Sequence, residues 1–145
     1  MRTKKAIWYE VSAKHNEEQE DGSQKSVTDI YVVDAVSFSD TEARFMKEAR
    51  NMFHGAVEVK NINPATYKEA IFSDNEDDNW YKAKITFKTL DEETGKEKKT
   101  NVTYMVQGED LEDALNNVVS IVSEGDENYV AASLSETKVM GFIER

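Results

Sequence analysis

Trp8-Tyr9-Glu10-Val11-Ser12-Ala13-Lys14 and, 72 residues further on, Trp80-Tyr81-Lys82-Ala83-Lys84-Ile85-Thr86-Phe87-Lys88 share an opening and an alternation. Side chains along a β-strand point to opposite faces in turn, so residues of one parity line one face. The later stretch therefore sets Tyr81, Ala83, Ile85 and Phe87 against a core and leaves Trp80, Lys82, Lys84, Thr86 and Lys88 on the other side. The earlier stretch turns Ile7, Tyr9, Val11 and Ala13 inward and Trp8, Glu10, Ser12 and Lys14 outward. After each comes a charged loop with a glycine, Gly22 or Gly95, and a second strand rich in β-formers over residues 27–35 and 102–106. Each unit begins as a hairpin, and the self-match makes two similar halves the first hypothesis for the fold.

A helix is expected after each hairpin. Ser39-Asp40-Thr41-Glu42 has the pattern of a capping box, with Phe38 and Ala43 as a hydrophobic staple. Ala43, Met46, Ala49, Arg50 and Phe53 follow at helical spacing, and Gly55 is placed to cap the end after His54. In the second half, acids at Asp110, Glu112 and Asp113 suit a helix N-terminus; Leu111, Ala114, Leu115, Val118 and Val122 form the stripe, and Gly125 is placed to end it. A last strand is expected over residues 56–61, continuing past Asn63-Pro64 into 67–72, and another over 129–134 with 137–143 as its extension. The expected fold class is α+β: two similar ββαβ halves, residues 1–73 and 79–145, joined by an acidic connector at 74–78 within one domain spanning 1–145. They would form one mainly antiparallel sheet with two helices on one face and the other face open.

A chain of 145 residues can bury one sizeable core. It has no cysteine, which excludes disulfides, thiolate metal sites and cysteine nucleophiles. His15 and His54 are the only histidines and make a poor basis for zinc; His54 reads as a helix C-terminal residue and His15 as an exposed strand end. The acids of residues 74–79 lack the central glycine and the late glutamate of a calcium loop. No phosphate-binding glycine pattern and no nucleophile with a base is present, so the chain is expected to be no enzyme and to need no cofactor or metal. The start of the chain lacks an apolar signal-peptide core and no run reaches membrane-spanning length, so a soluble, cytoplasmic protein without membrane partners is expected.

A net charge of −11 argues against wholesale phosphate binding, but the acids gather in loops and helix starts, including 17–21, 74–78, 91–93, 109–110 and 124–127, leaving the strands neutral or basic. Parity places Lys99, Asn101, Thr103 and Met105 on the same outer face as Trp80 and its lysines. Trp8, Trp80, Lys82, Lys84, Lys88 and Lys99 together are the candidate nucleic-acid-binding residues, because aromatic platforms interleaved with cations are the components of single-stranded DNA or RNA sites. The plainer reading is that tryptophans at strand starts pack against a neighbouring connection and that strand lysines protect a surface. The functional alternative is an acidic protein-interaction module, as a homodimer or as a phage-type inhibitor of a basic host protein.

Trp8-Tyr9-Glu10-Val11, the stretch from Val32 through Phe38 to Ala43, and Trp80-Tyr81-Lys82-Ala83-Lys84 with Glu97-Lys98-Lys99-Thr100 resemble an uncharacterised family of small proteins from Bacteroides-type gut bacteria and their phages, domain of unknown function 4494. The resemblance covers nearly the whole chain. It implies no activity and assigns no functional residue.

Overall fold

Strand alternation and helix caps build the elements in chain order: β1 (Arg2–Lys5), β2 (Trp8–Glu18), β3 (Gln24–Asp34), α1 (Phe38–Met52), β4 (Glu58–Pro64), β5 (Glu69–Phe72), β6 (Asn79–Leu90), β7 (Glu97–Gly108), α2 (Leu111–Val122), β8 (Asn128–Glu136) and β9 (Val139–Ile143). The computed structural model of the chain describes residues 1–125 and 128–145. Asp126 and Glu127, part of one acidic cluster named above, lie outside the described residues. The hairpins β2–β3 and β6–β7 are long antiparallel ladders, and their turns use Gly22 (φ +83°) and Gly95 (φ +68°), a left-handed conformation that favours glycine.

The fold is α+β, with two mixed sheets in place of the single sheet expected. One has the order β1-β5-β7-β6-β8 and the other β4-β2-β3-β9. The stretches read as extensions of a preceding strand are separate strands that join the other sheet. β5 follows β4 in the chain but pairs parallel with β7, and β9 follows β8 but pairs parallel with β3. The chain accordingly divides into two compact units, one of Met1–Lys5 with Thr66–Thr137, the other of Ala6–Ala65 with Lys138–Arg145. Strands of four or five residues carry too little pattern to name their partner, which is fixed by non-local pairing.

In the Ala6–Ala65 unit, Val11, Ala13, Val33 and Ala35 pack against Phe45 and Ala49 of α1. In the other, Tyr81, Ala83, Ile85, Tyr104 and Val106 pack with Ile71 against Ala114, Val118 and Val122 of α2. The helix-facing parity of β6 and β7 is therefore as read from the sequence, and Tyr31, whose side was open, faces Phe45 and Phe53. Ile7, expected inside, is 63% exposed because it precedes β2.

The α2 stripe is narrower than expected, with Ala114, Val118 and Val122 buried, and the α1 stripe shares Ala49 with the expected one while Met46 and Phe53 pack at its margin. The buried α1 residues are Thr41, Phe45 and Ala49, and Leu111 and Leu115 of α2 are exposed. The α1 cap lies two residues earlier than expected. Ser37 Oγ accepts from Asp40 N, so Ser37 is the N-cap, and Asp40 Oδ2 accepts from the N–H of Val36, the residue before the cap. The α2 start repeats this geometry: Asp110 accepts from Asp113 N and Asp113 from Glu109 N. α1 ends at Phe53, whose N–H reaches Ala49 O; Gly55 and His54 lie beyond it, so His54 is not a helix C-terminal residue. α2 ends at Ser123, ahead of Gly125.

Candidate functional site

Register across β7, β6 and β8 defines the helix-free face of the larger sheet. Lys82 lies opposite Met105, Lys84 opposite Thr103, Thr86 opposite Asn101, and Lys88 opposite Lys99. On the β8 side the same rows continue with Ser135, Ser133, Val130 and Asn128. Lys84 and Lys99 are exposed and Lys82 and Lys88 half-buried. Thr86 Oγ1 donates to Asn101 Oδ1 at 2.8 Å, holding the middle row. Lys88 Nζ is 4.0 Å from Glu97, and Lys82 Nζ lies 5.8 Å from the Tyr67 ring centroid.

The tryptophans do not join this surface. They have the expected parity, opposite the helix-packed residues, but Trp8 is 1% and Trp80 3% exposed. Phe142 of β9 meets Trp8 edge-on at 5.1 Å, and Phe72 of β5 meets Trp80 at 5.2 Å. The Arg2 guanidinium sits 3.9 Å from the Phe72 ring centroid on its helix-free side of the sheet. Alternation gives the side of a strand on which a residue lies; it does not say whether that side is wet. The joining of β5 and β9 brings phenylalanines to the indoles, and the expected stacking platform is replaced by buried aromatic pairs. Met105 and Ala70 on the same side of the sheet are also fully buried.

Two polar clusters escaped the sequence reading. Gln107, at the end of β7, is 4% exposed; its Nε2 donates to Glu76 O at 3.1 Å and Asp78 O at 3.2 Å, while its Oε1 accepts from Ser73 N at 3.1 Å. One amide thus ties the acidic connector down. A glutamine directly before Gly-Glu-Asp at a strand end was the available signal.

The second cluster is His15, expected at an exposed strand end. Its Nε2 lies 2.7 Å from Asp29 Oδ2, its side chain is 10% exposed, and its ring packs 4.4 Å from Phe53. Tyr31 beside them is held neutral beyond its ordinary range, first by burial and then by the Asp29 charge. His54 is exposed at the rim of a cleft of about 470 Å³ that His15 and Phe53 also line. Among the described residues, no group of three or more His, Cys, Asp or Glu is placed to hold a metal ion, and no helix is long and apolar enough to cross a membrane.

Fold and surface define a small α+β protein of two mixed sheets, one of which presents a lysine-rich face. The chain belongs to the family described as Domain of unknown function (DUF4494), whose model matches residues 7–145. No curated protein and no solved structure matches it.

Proposed function

We propose that this protein is a non-enzymatic binding module that takes the phosphate backbone of single-stranded DNA or RNA on the lysine face of β6 and β7. One observation carries the reading. In a chain of net charge −11, the face that places Lys82, Lys84, Lys88 and Lys99 on two neighbouring strands holds a single carboxylate, Glu97, among its paired positions along β6 and β7. Lys88 stands directly opposite Lys99, and like charges directly opposite on a sheet are destabilising. An anionic ligand would relieve that repulsion. With both indoles buried, contact is through charge and hydrogen bonds, so affinity is modest and strongly dependent on salt.

The experiment is fluorescence anisotropy of a labelled oligothymidylate titrated with protein over a range of salt. Contact with about three phosphates predicts a slope of about −2 in log affinity against log salt. The triple variant Lys84→Glu, Lys88→Glu, Lys99→Glu should abolish binding and keep the wild-type far-UV circular dichroism. Failure to bind at low salt, or unchanged binding by the triple variant, refutes the reading. A cytoplasmic setting and the phage-linked origin implied by the sequence resemblance belong to the same proposal, the absence of cysteine supporting the former.

A further inference from the structure

We propose that the outer edge of β7, over residues 97–103, accepts an added β-strand from an acidic peptide. The inference rests on backbone pairing, and Lys99 is the one residue it shares with the lysine-face reading above. β7 is an interior strand for only part of its length. β6 pairs with it from Glu97 to Gly108, whereas on its other side β5 pairs only with Tyr104, Met105 and Val106. Over residues 97–103, the strand's outward N–H and C=O groups have no strand partner among the described residues, and none of these residues is buried. Such an edge is a ready template for another strand.

The place is shaped as well as open. Where β5 begins, a cleft of about 560 Å³ lies between Lys5, Thr66 and Lys68 on one side and Asn101, Val102 and Thr103 on the other. A strand entering it would run collinear with β5, in the slot that β5 occupies only beside residues 104–106. Parity puts Lys98 on one face of this edge and Lys99 on the other, and Lys5 and Lys68 stand at the cleft. Lys5 lies directly across from Glu69 and Lys88 is 4.0 Å from Glu97, so Lys98 and Lys99 are the cations along the edge itself. The complementary ligand is an extended peptide with acidic side chains alternating to both faces.

The probe is a labelled heptapeptide of alternating Glu and Val, compared with the same peptide N-methylated at every second residue. Anisotropy at low salt should show binding of the first, with the N-methylated form at least about tenfold weaker, because two or three backbone hydrogen bonds are lost. Lys98→Glu should weaken the unmodified peptide by a similar factor. Lys84→Glu, on the neighbouring strand β6, should leave peptide binding within about twofold while weakening oligothymidylate, so the two proposals fail separately. Equal binding of both peptides, or no binding at low salt, overturns the strand-addition proposal and leaves Lys98 as edge protection.

Discussion

At the residue scale, Gln107 shows how one buried amide can do what no charged residue in its surroundings could. Its Nε2 serves the connector carbonyls of Glu76 and Asp78 and its Oε1 the Ser73 N–H just before them, so these three backbone groups share a single side-chain partner. Gln107→Ala should cost about 1–3 kcal/mol in urea unfolding, the usual range when buried partners lose a hydrogen bond. Gln107→Glu should cost at least as much at neutral pH, because it presents a carboxylate to two carbonyl oxygens, and should recover part of the loss in acid. Equal stability of the two variants across pH would show that the amide is not the tether. Next to it, Gly108 is needed for space: a Cβ there would lie 2.6 Å from Ala114 N and 2.8 Å from Ala114 Cα, both backbone atoms that cannot swing aside. Gly108→Ala should destabilise by about 1–3 kcal/mol through overpacking at the start of α2. The indoles give a spectroscopic check at the same scale. With Trp8 and Trp80 both nearly inaccessible, tryptophan emission should be blue-shifted and weakly quenched by acrylamide in the native protein, and saturating oligothymidylate should leave it unchanged.

At the scale of the element, the α1 start is an electrostatic assembly around Asp40. Its carboxylate is held below the ordinary range, first by the Val36 N–H, then by the side chains of Arg44 and Arg145. A carboxylate depressed in the folded state contributes stability above its unfolded value and loses it as pH falls through the folded one. Wild type should therefore lose stability faster than Asp40→Asn on acidification below the ordinary carboxylate range, and the two curves should run parallel above it. Thermal unfolding against pH checks this, and parallel curves throughout would contradict it. The same element shows what was legible in the sequence. An S/T-x-x-D/E pattern before an amphipathic run announces a helix, but Ser37-Phe38-Ser39-Asp40 and Ser39-Asp40-Thr41-Glu42 overlap, and only the chain's path out of β3 chooses Ser37. The face that meets the sheet centres on Thr41, Phe45 and Ala49, with Met46 and Phe53 at its margin. The long strands were legible because parity over ten or more residues is strongly constrained, and it placed the lysines on the right side. What parity could not give was the exposure of that side, since Phe72 and Phe142 arrive from strands whose pairing is remote in sequence.

At the scale of the whole molecule, neither sheet is built from one continuous piece of chain. The sheet of β6, β7 and β8 takes β5 and β1 from the first half of the sequence, and the sheet of β2, β3 and β4 takes β9 from its last residues. Each borrowed strand supplies backbone pairing and an aromatic cover. Without β5, β7 loses its parallel partner, Ile71 leaves the α2 core and Phe72 leaves Trp80; without β9, β3 loses its parallel partner and Phe142 leaves Trp8. Cutting the chain at the end of the connector should thus yield two fragments, 1–78 and 79–145, that are each incomplete. Neither should fold cooperatively alone, because the first holds a core that lacks β9 and the second a core that lacks both β1 and β5, and each carries the strands that belong to the other's sheet. Mixed at equal concentration they should recover the native far-UV spectrum and the blue-shifted indole emission, with a midpoint of unfolding that rises with concentration, as for any bimolecular fold. Independent folding of either fragment, with native-like cooperativity and no change on adding the other, would show that the borrowed strands are dispensable to the cores they join.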